Sequence, residues 1–326
     1  MHYPLVSVVM PVFNAERYIK EAIESILNQT YHNLEFIIVY DKSSDHTLDI
    51  ILSYDDERIK LLVNEESKGL AFALNRGLEH SRGKYIIRMD SDDISLPDRI
   101  EKQVDFLENH PSVGVCAGLA EILGDRQIKA YLPAITSEEI KCSLLFDTTI
   151  AHPTVAMRAD LIKEHNLRYP DYSVEDYLMW VSALDYCKFY VLPEVILKYR
   201  ITGQSLTAVI DNEKEALKKE AYLTAYDIML KRCGITASLA NRTLQYDFDW
   251  GRLEKEEMKA LTVHLNSILK ANARSRYFDG KTLMNIIGKR WIAYIRRNKQ
   301  YKYLFSKFTF YGIRYIIARL VNNPMK

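Results

Sequence analysis

Two rhythms of hydrophobic and polar positions alternate along the first 95 residues. Residues 5–12, LVSVVMPV, are nearly all apolar and rich in β-branched types, as expected of a strand covered on both faces. The rhythm then changes. Tyr18, Ile19, Ala22, Ile23, Ile26 and Leu27 recur at helical spacing with charges between them, which predicts an amphipathic helix over 15–29 with Asn14 placed to cap it. LEFIIVY at 34–40 is a second buried strand ending at Asp41, and Ser44 and Asp45 offer caps to a helix carrying Leu48, Ile51 and Leu52. RIKLLV at 58–63 is a third strand, followed by a third helix over 70–81 that Lys68 and Gly69 introduce. The fourth strand, 84–89, carries Arg88 within an apolar run and stops at Asp90, Asp92 and Asp93. Strict alternation of strand and helix implies a parallel sheet with right-handed crossovers, whose ligands bind beyond the carboxyl ends of the strands. Asp41, Asn64 and the Asp90–Asp93 cluster therefore belong to one rim.

If the backbone stays extended past Met89, the period of two turns Asp90 and Asp92 to one side and Asp93 to the other. Two ionised carboxylates that close repel, so a site holding both calls for a cation, and all-oxygen donors suit Mg2+ or Mn2+. The competing reading is a solvated turn or a helix cap, above all for Asp93 and Asp98. Residues 95–98 read as a helix start, with Ser95 as its N-cap. Neither G-x-G-x-x-G nor G-x-x-x-x-G-K-[ST] is present, so metal and side chains would have to hold the phosphates of any bound nucleotide.

The second half offers two further groups. His152 and Arg158 lie in IAHPTVAMRADLI, where a lone histidine is as readily structural as functional. Glu175 and Asp176 head an amphipathic helix, either as partners of the helix dipole or as acid–base groups. Trp180, one turn on, can present a face to a sugar or pack in the core.

These residues carry a resemblance. Residues 6–47, VSVVMPVFNAERYIKEAIESILNQTYHNLEFIIVYDKSSDHT, then 69–75, then MDSDD, are similar to the nucleotide-binding half of a family 2 glycosyltransferase with the GT-A fold. The similarity runs from Val6 to about Thr207. It implies a mixed, mainly parallel α/β sheet flanked by helices and an inverting transfer of a sugar from a nucleotide donor, usually a UDP-sugar. By position, Asp41 matches the aspartate that hydrogen-bonds the base, with Pro11, Phe13 and Asn14 lining the same pocket. Tyr40 and Lys42 depart from the family's paired aspartates and glycine there. Asp90, Ser91 and Asp92 match the D-x-D that holds a metal on the diphosphate, and Asn75 matches an asparagine near the donor, a solvent-facing helix asparagine being the alternative. The Glu175–Asp176 pair matches the family's acidic motif. It implies Asp176 as general base, with Glu175 orienting the acceptor, and puts His152 and Trp180 on the acceptor side. Tyr199 and Arg200 match a segment that closes the site. Many relatives have a histidine two residues later, where this chain has Thr202.

Net charge is only +1, yet residues 280–326 hold eleven Lys or Arg and no Asp or Glu, which leaves the first 279 residues at −10. From about residue 208 the pattern turns helical, so the reading is a catalytic domain over 1–207 and a basic helical region over 208–326. In that region Ile287, Trp291, Tyr294 and Ile295 share one helix face and Lys289, Arg290, Arg296 and Arg297 the opposite one; farther on Ile313, Ile316, Ile317 and Leu320 share a face flanked by Arg314 and Arg319. Basic amphipathic helices rich in aromatic residues suit an anionic membrane surface; a helical cap or a contact between copies is the alternative, and no nucleic-acid motif accompanies the charge. Cys116, Cys142, Cys187 and Cys233 are too dispersed for a metal or redox pair. Unpaired thiols and an N-terminus without a signal-peptide pattern point to the cytoplasm, on the inner face of the membrane. The acceptor expected there is a glycan or lipid-linked glycan of surface polysaccharide biosynthesis. The competing classes are a nucleotidylyltransferase, which would show a glycine-rich basic loop after the first strand, and a non-catalytic sugar-nucleotide-binding protein.

Overall fold

The computed structural model describes residues 4–123, 136–172, 174–201 and 212–321. In chain order the elements are β1 (Val6–Val12), α1 (Ile19–Leu27), β2 (Leu34–Asp41), α2 (Thr47–Leu52), β3 (Ile59–Asn64), α3 (Leu70–His80), β4 (Tyr85–Arg88), β5 (Ile94–Ser95), α4 (Arg99–Asn109), β6 (Val113–Leu123), α5 (Ser137–Ser143), β7 (Ala156–Arg158), α6 (Ala159–Glu164), α7 (Glu175–Ala183) and β8 (Lys188–Arg200). The helices α8 (Asn212–Arg232), α9 (Leu239–Trp250), α10 (Lys255–Ser275), α11 (Gly280–Asn298) and α12 (Lys307–Val321) follow. Two compact units result. One comprises Met1–Thr136 with Thr149–Lys214; the other comprises Ser137–Thr148 with Glu215–Lys326, so α5 belongs with the C-terminal helices although it lies within the first 207 residues.

The first unit is built on an eight-stranded mixed sheet of order β3-β2-β1-β4-β7-β6-β8-β5. The parallel arrangement expected of the first four strands is present: β2 lies parallel to β3, and β1 parallel to both β2 and β4. β7 then runs antiparallel between β4 and β6, while β8 is parallel to β6 and antiparallel to β5. Every residue of β1 and β2 is buried, which accounts for their mostly apolar sequences. Ile19, Ala22, Ile23 and Ile26 of α1 pack into the same core.

Two expected caps are used otherwise. Asn14 adopts φ +46° and its Oδ1 accepts from Ser44 N at 2.9 Å, tying the turn after β1 to the turn after β2, so α1 begins only at Ile19 without a side-chain cap. Ser95 pairs with Leu197 in β5 and α4 starts at Arg99, because the chain makes a strand bridge before it coils. Asp45 does serve its helix start, accepting from Thr47 N at 3.1 Å.

The second unit is helical. The apolar face of α10 is buried through Met258, Leu261, Leu265 and Ile268, and the helix opens with a capping box between Glu254 and Glu257. Among the described residues no helix is long and apolar enough to cross a membrane.

Candidate active site

The sheet places the carboxylates where the alternation of strands and helices put them, but the backbone does not stay extended past Met89. Regular strand ends at Arg88 and the chain turns at Ser91 and Asp92. Asp93, expected on the opposite side, is thereby brought back, and carboxylate oxygens of Asp90, Asp92 and Asp93 all lie within 4.8 Å of one another. Burial first, then the charge of Asp90, pushes Asp92 up to about 6 and Asp93 to about 8. Asp93 is completely buried; its Oδ1 accepts from Arg200 N at 2.8 Å, whereas its Oδ2 has no hydrogen-bond partner. Three crowded carboxylates with a buried oxygen left over fit a hard divalent cation, which would supply the positive charge and oxygen-seeking coordination they lack.

Arg88, the one charge inside the β4 sequence, is 4% exposed and donates to Asp90 Oδ2 at 2.5 Å. Its charge also acts on Tyr169, Glu175 and His152, so one buried guanidinium faces both the aspartate turn and the head of α7. A second buried arginine, Arg99, donates to Arg88 O at 2.8 Å, and burial pulls its guanidinium down to about 9. A lone arginine in an apolar strand was the sequence signal for this pair.

Glu175 and Asp176 open α7. Glu175 is buried beside His152, its Oε1 3.6 Å from Nδ1, and burial together with the charge of Asp176 pushes its carboxyl up to about 7. Asp176 is half-buried, with its Oδ1 accepting from Tyr177 N at 2.8 Å. His152 Nε2 lies 3.1 Å from Tyr169 Oη, and burial, then Arg88, holds the imidazole well below the usual histidine range and so neutral. Both ends of the Asn75 amide clasp the Tyr169 backbone, Nδ2 to O at 2.7 Å and Oδ1 from N at 2.9 Å. Asn75, partly buried, thereby holds Tyr169, a residue the sequence reading did not single out. Trp180 is fully buried, edge-on to His152, Tyr169 and Phe189, which makes it a core residue rather than a stacking face. Arg158 is likewise structural, donating to Val113 O and Leu107 O.

On the other side of β1, Asp41 is buried and accepts from Asn64 Nδ2 (2.6 Å), Ser67 Oγ (3.1 Å) and Lys68 N (3.1 Å). These take three of the roughly four acceptor positions of a carboxylate. Pro11 is buried in β1, Phe13 is half exposed beyond it, and Tyr40 packs in the core with its hydroxyl accepting from Ser43 N. A cavity of about 360 Å³ at β3 is lined by Asn64, Lys68, Phe72 and Arg76 among others. Arg200 is committed to its surroundings: Nε donates to Asp92 O at 2.8 Å, Nη2 pairs with Glu21 at 2.7 Å, and the guanidinium lies 4.4 Å from the centre of the Tyr18 ring. Thr202 lies outside the described residues.

Comparison with known proteins bears on the fold and the family. A relative from Escherichia coli, the UDP-Glc:alpha-D-GlcNAc-diphosphoundecaprenol beta-1,3-glucosyltransferase WfgD, is 33% identical over 224 residues, covering 66% of this chain and 83% of that protein. The structure of TarS residues 1–349 from S. aureus in complex with UDP-GlcNAc superimposes with a TM-score of 0.60 at 19% identity, over 90% of this chain and 87% of that one. Glucosyl-3-phosphoglycerate synthase from Mycobacterium tuberculosis, in complex with Mn2+, UDP and phosphoglyceric acid, gives 0.51 at 20% identity over 72% and 80%. The two structures share the GT-A fold with this chain. The model of the family described as glycosyl transferase family 2 matches residues 7–165. The chain is a glycosyltransferase and belongs to glycosyl transferase family 2.

Proposed function

We propose that the protein is an inverting glycosyltransferase that moves a sugar from a UDP-sugar to a glycan or lipid-linked glycan acceptor in surface polysaccharide biosynthesis. The observation that carries this reading is the convergence of Asp90, Asp92 and Asp93 within 4.8 Å, with a buried carboxylate oxygen unpartnered. Asp90 and Asp92, with Asp93 beside them, would hold Mn2+ or Mg2+. When bound, such an ion offsets the negative charge of a departing diphosphate. WfgD, whose name gives a UDP-glucose donor and a diphosphoundecaprenol-linked sugar as acceptor, supports the choice of donor and acceptor class.

The chain's own residues divide the remaining work. Asp41 uses its last acceptor position for the imide N–H of the base, with Pro11, Phe13 and Asn14 flanking it. Ser91 carries the turn that gathers the aspartates, Arg88 fixes Asp90, and Arg200 fixes Asp93 and the Asp92 carbonyl. Asp176 takes the proton of the acceptor hydroxyl as its oxygen attacks the anomeric carbon and the bond from that carbon to the diphosphate oxygen breaks. Attack opposite the leaving group inverts the configuration. Glu175 backs Asp176 from the buried side; a protonated Glu175 leaves Asp176 without a like charge beside it. His152 and Tyr169 act through Glu175, not on the sugar.

Asp176→Asn tests the assignment. Transfer should fall about 10³-fold, about 4 kcal/mol in the barrier. Mn2+-dependent binding of the UDP-sugar, measured by calorimetry, should be unchanged. A variant that turns over normally would remove Asp176 from the role of base.

A further inference from the structure

The two basic helices at the C-terminus differ in what they show to solvent. On α11 the apolar face is spent inside: Ile287, Trp291, Tyr294 and Ile295 are buried, Arg290 pairs with Asp249 at 2.7 Å, and Arg297 donates to the carbonyls of Phe248 and Gly251. The expectation that this helix presents itself to a membrane therefore fails; it is the centre of its unit. The next helix is arranged the other way. Phe308, Thr309, Gly312 and Tyr315 form its inner face, whereas Phe310, Ile313, Arg314 and Ile317, at spacing i, i+3, i+4, i+7, are exposed. Leu304 and Phe305 extend the outer stripe, Phe305 being 101% exposed and Phe310 63%. Leu320 and Arg319 lie outside the residues whose side chains are described.

The outward orientation is built in. At the crossing of α11 and α12, a Cβ on Gly288 would sit 2.3 Å from Gly312 N, and one on Gly312 would sit 2.3 Å from Gly288 O. The helices touch backbone to backbone, which admits no side chain and fixes which face of α12 is covered. Tyr315 Oη donates to Glu139 Oε1 at 3.0 Å and locks the same face inward.

We propose that the outer face of α12, with the turn before it, is a docking surface for an anionic lipid bilayer. Large exposed apolar side chains at helical spacing, rimmed by Lys299, Lys302, Lys307 and Arg314, all exposed, are what an interfacial helix needs. Charge decides between a bilayer and a second copy of the chain. No acidic residue occurs from 280 to 326, so pairing this face with its own copy opposes like charges, whereas an anionic surface neutralises them. The surface needs no donor sugar and stands apart from the transfer reaction.

The full chain is mixed with vesicles of phosphatidylcholine alone or with phosphatidylglycerol, and the bound fraction is read by sedimentation. Binding should require phosphatidylglycerol and weaken with salt. Phe305→Ser with Phe310→Ser and Ile317→Ser should lower partition at least about tenfold. Lys302→Glu with Lys307→Glu should lower it at least about 25-fold, because each lost cation alone is worth about fivefold. All five positions are exposed, so Tm should hold; single Phe305→Ser serves as the check if the triple variant melts early. Wild-type chain left in the supernatant, or serine variants that partition equally, would overturn the proposal. So would vesicle-independent self-association that the serine variants abolish, which would assign the face to a second copy.

Discussion

The two units each gather carboxylates around an arginine, with opposite results. In the helical unit Asp249 takes Arg290 at 2.7 Å, Asp147 takes Tyr222 Oη at 2.6 Å with Arg290 at 4.0 Å, and Arg297 donates to the carbonyls at the end of α9. Burial still pushes Asp249 up to about 6, but both acids face a guanidinium. In the sheet unit three carboxylates meet, Arg88 donates a hydrogen bond to Asp90, and Asp93 keeps an unpartnered oxygen. The first cluster is complete as it stands and belongs to stability. The second is short of positive charge and asks for something from outside.

The largest effect expected from that contrast is at Arg290. Arg290→Ala leaves the buried Asp249 and the half-buried Asp147 without their cation, which should cost about 3–5 kcal/mol of folding stability. Urea unfolding measures it, and a loss under about 1 kcal/mol would show that this pair is not the support it looks to be.

Asp92→Asn should behave in the reverse sense. Removing a carboxylate from a group that repels itself leaves metal-free stability unchanged or higher. Affinity for the UDP-sugar in Mn2+ should drop at least about a hundredfold, about 2.7 kcal/mol, since even residues that merely support metal ligands are worth that much. In wild type, chelation of the metal should produce the same loss. Equal binding with and without Mn2+ would make the aspartate turn a structural feature like its counterpart.

Parts of this contrast were legible in the sequence for reasons of periodicity. Strands β1 to β4 and helices α1 to α3 followed from mostly apolar runs alternating with 3.6-residue patterns, and their order alone brought Asp41, Asn64 and Asp90–Asp93 to one rim. Asp93 was misplaced because the side-chain alternation of a strand holds only while the strand continues, and this one ends at Arg88. Trp180 stayed ambiguous because Tyr177, Leu178, Met179, Trp180 and Val181 are all buried, and a helix covered on every side has no periodic face to read. β7 is three residues long, too short for any pattern, yet it reverses direction in the middle of the sheet and carries Arg158. The amphipathicity of α11 and α12 was visible, but amphipathicity does not say whether the apolar face meets protein or remains outside; the Gly288–Gly312 contact and the Tyr315–Glu139 bond do.

The smallest predicted effect lies at Glu175, where the comparison can be sharpened by pH. Burial and Asp176 raise its folded pKa to about 7 from the ordinary glutamate value of 4.5, so between those values the folded chain holds a proton that the unfolded chain has released. Stability contributed by this proton is present below 4.5 and lost as pH rises through 7, with a slope of at most about 1.4 kcal/mol per pH unit. His152 works against it: its imidazole is kept neutral by burial, so below the usual histidine value of 6.5 the unfolded state binds the extra proton and stability rises with pH. Near pH 6 the two slopes oppose each other, and wild-type protein should show little net dependence from this pair. Glu175→Gln removes only the falling component, and its stability should climb with pH more steeply than that of wild type. Parallel curves for the two proteins would mean that Glu175 is ionised throughout, and that Asp176 has a second charge beside it while it acts as base.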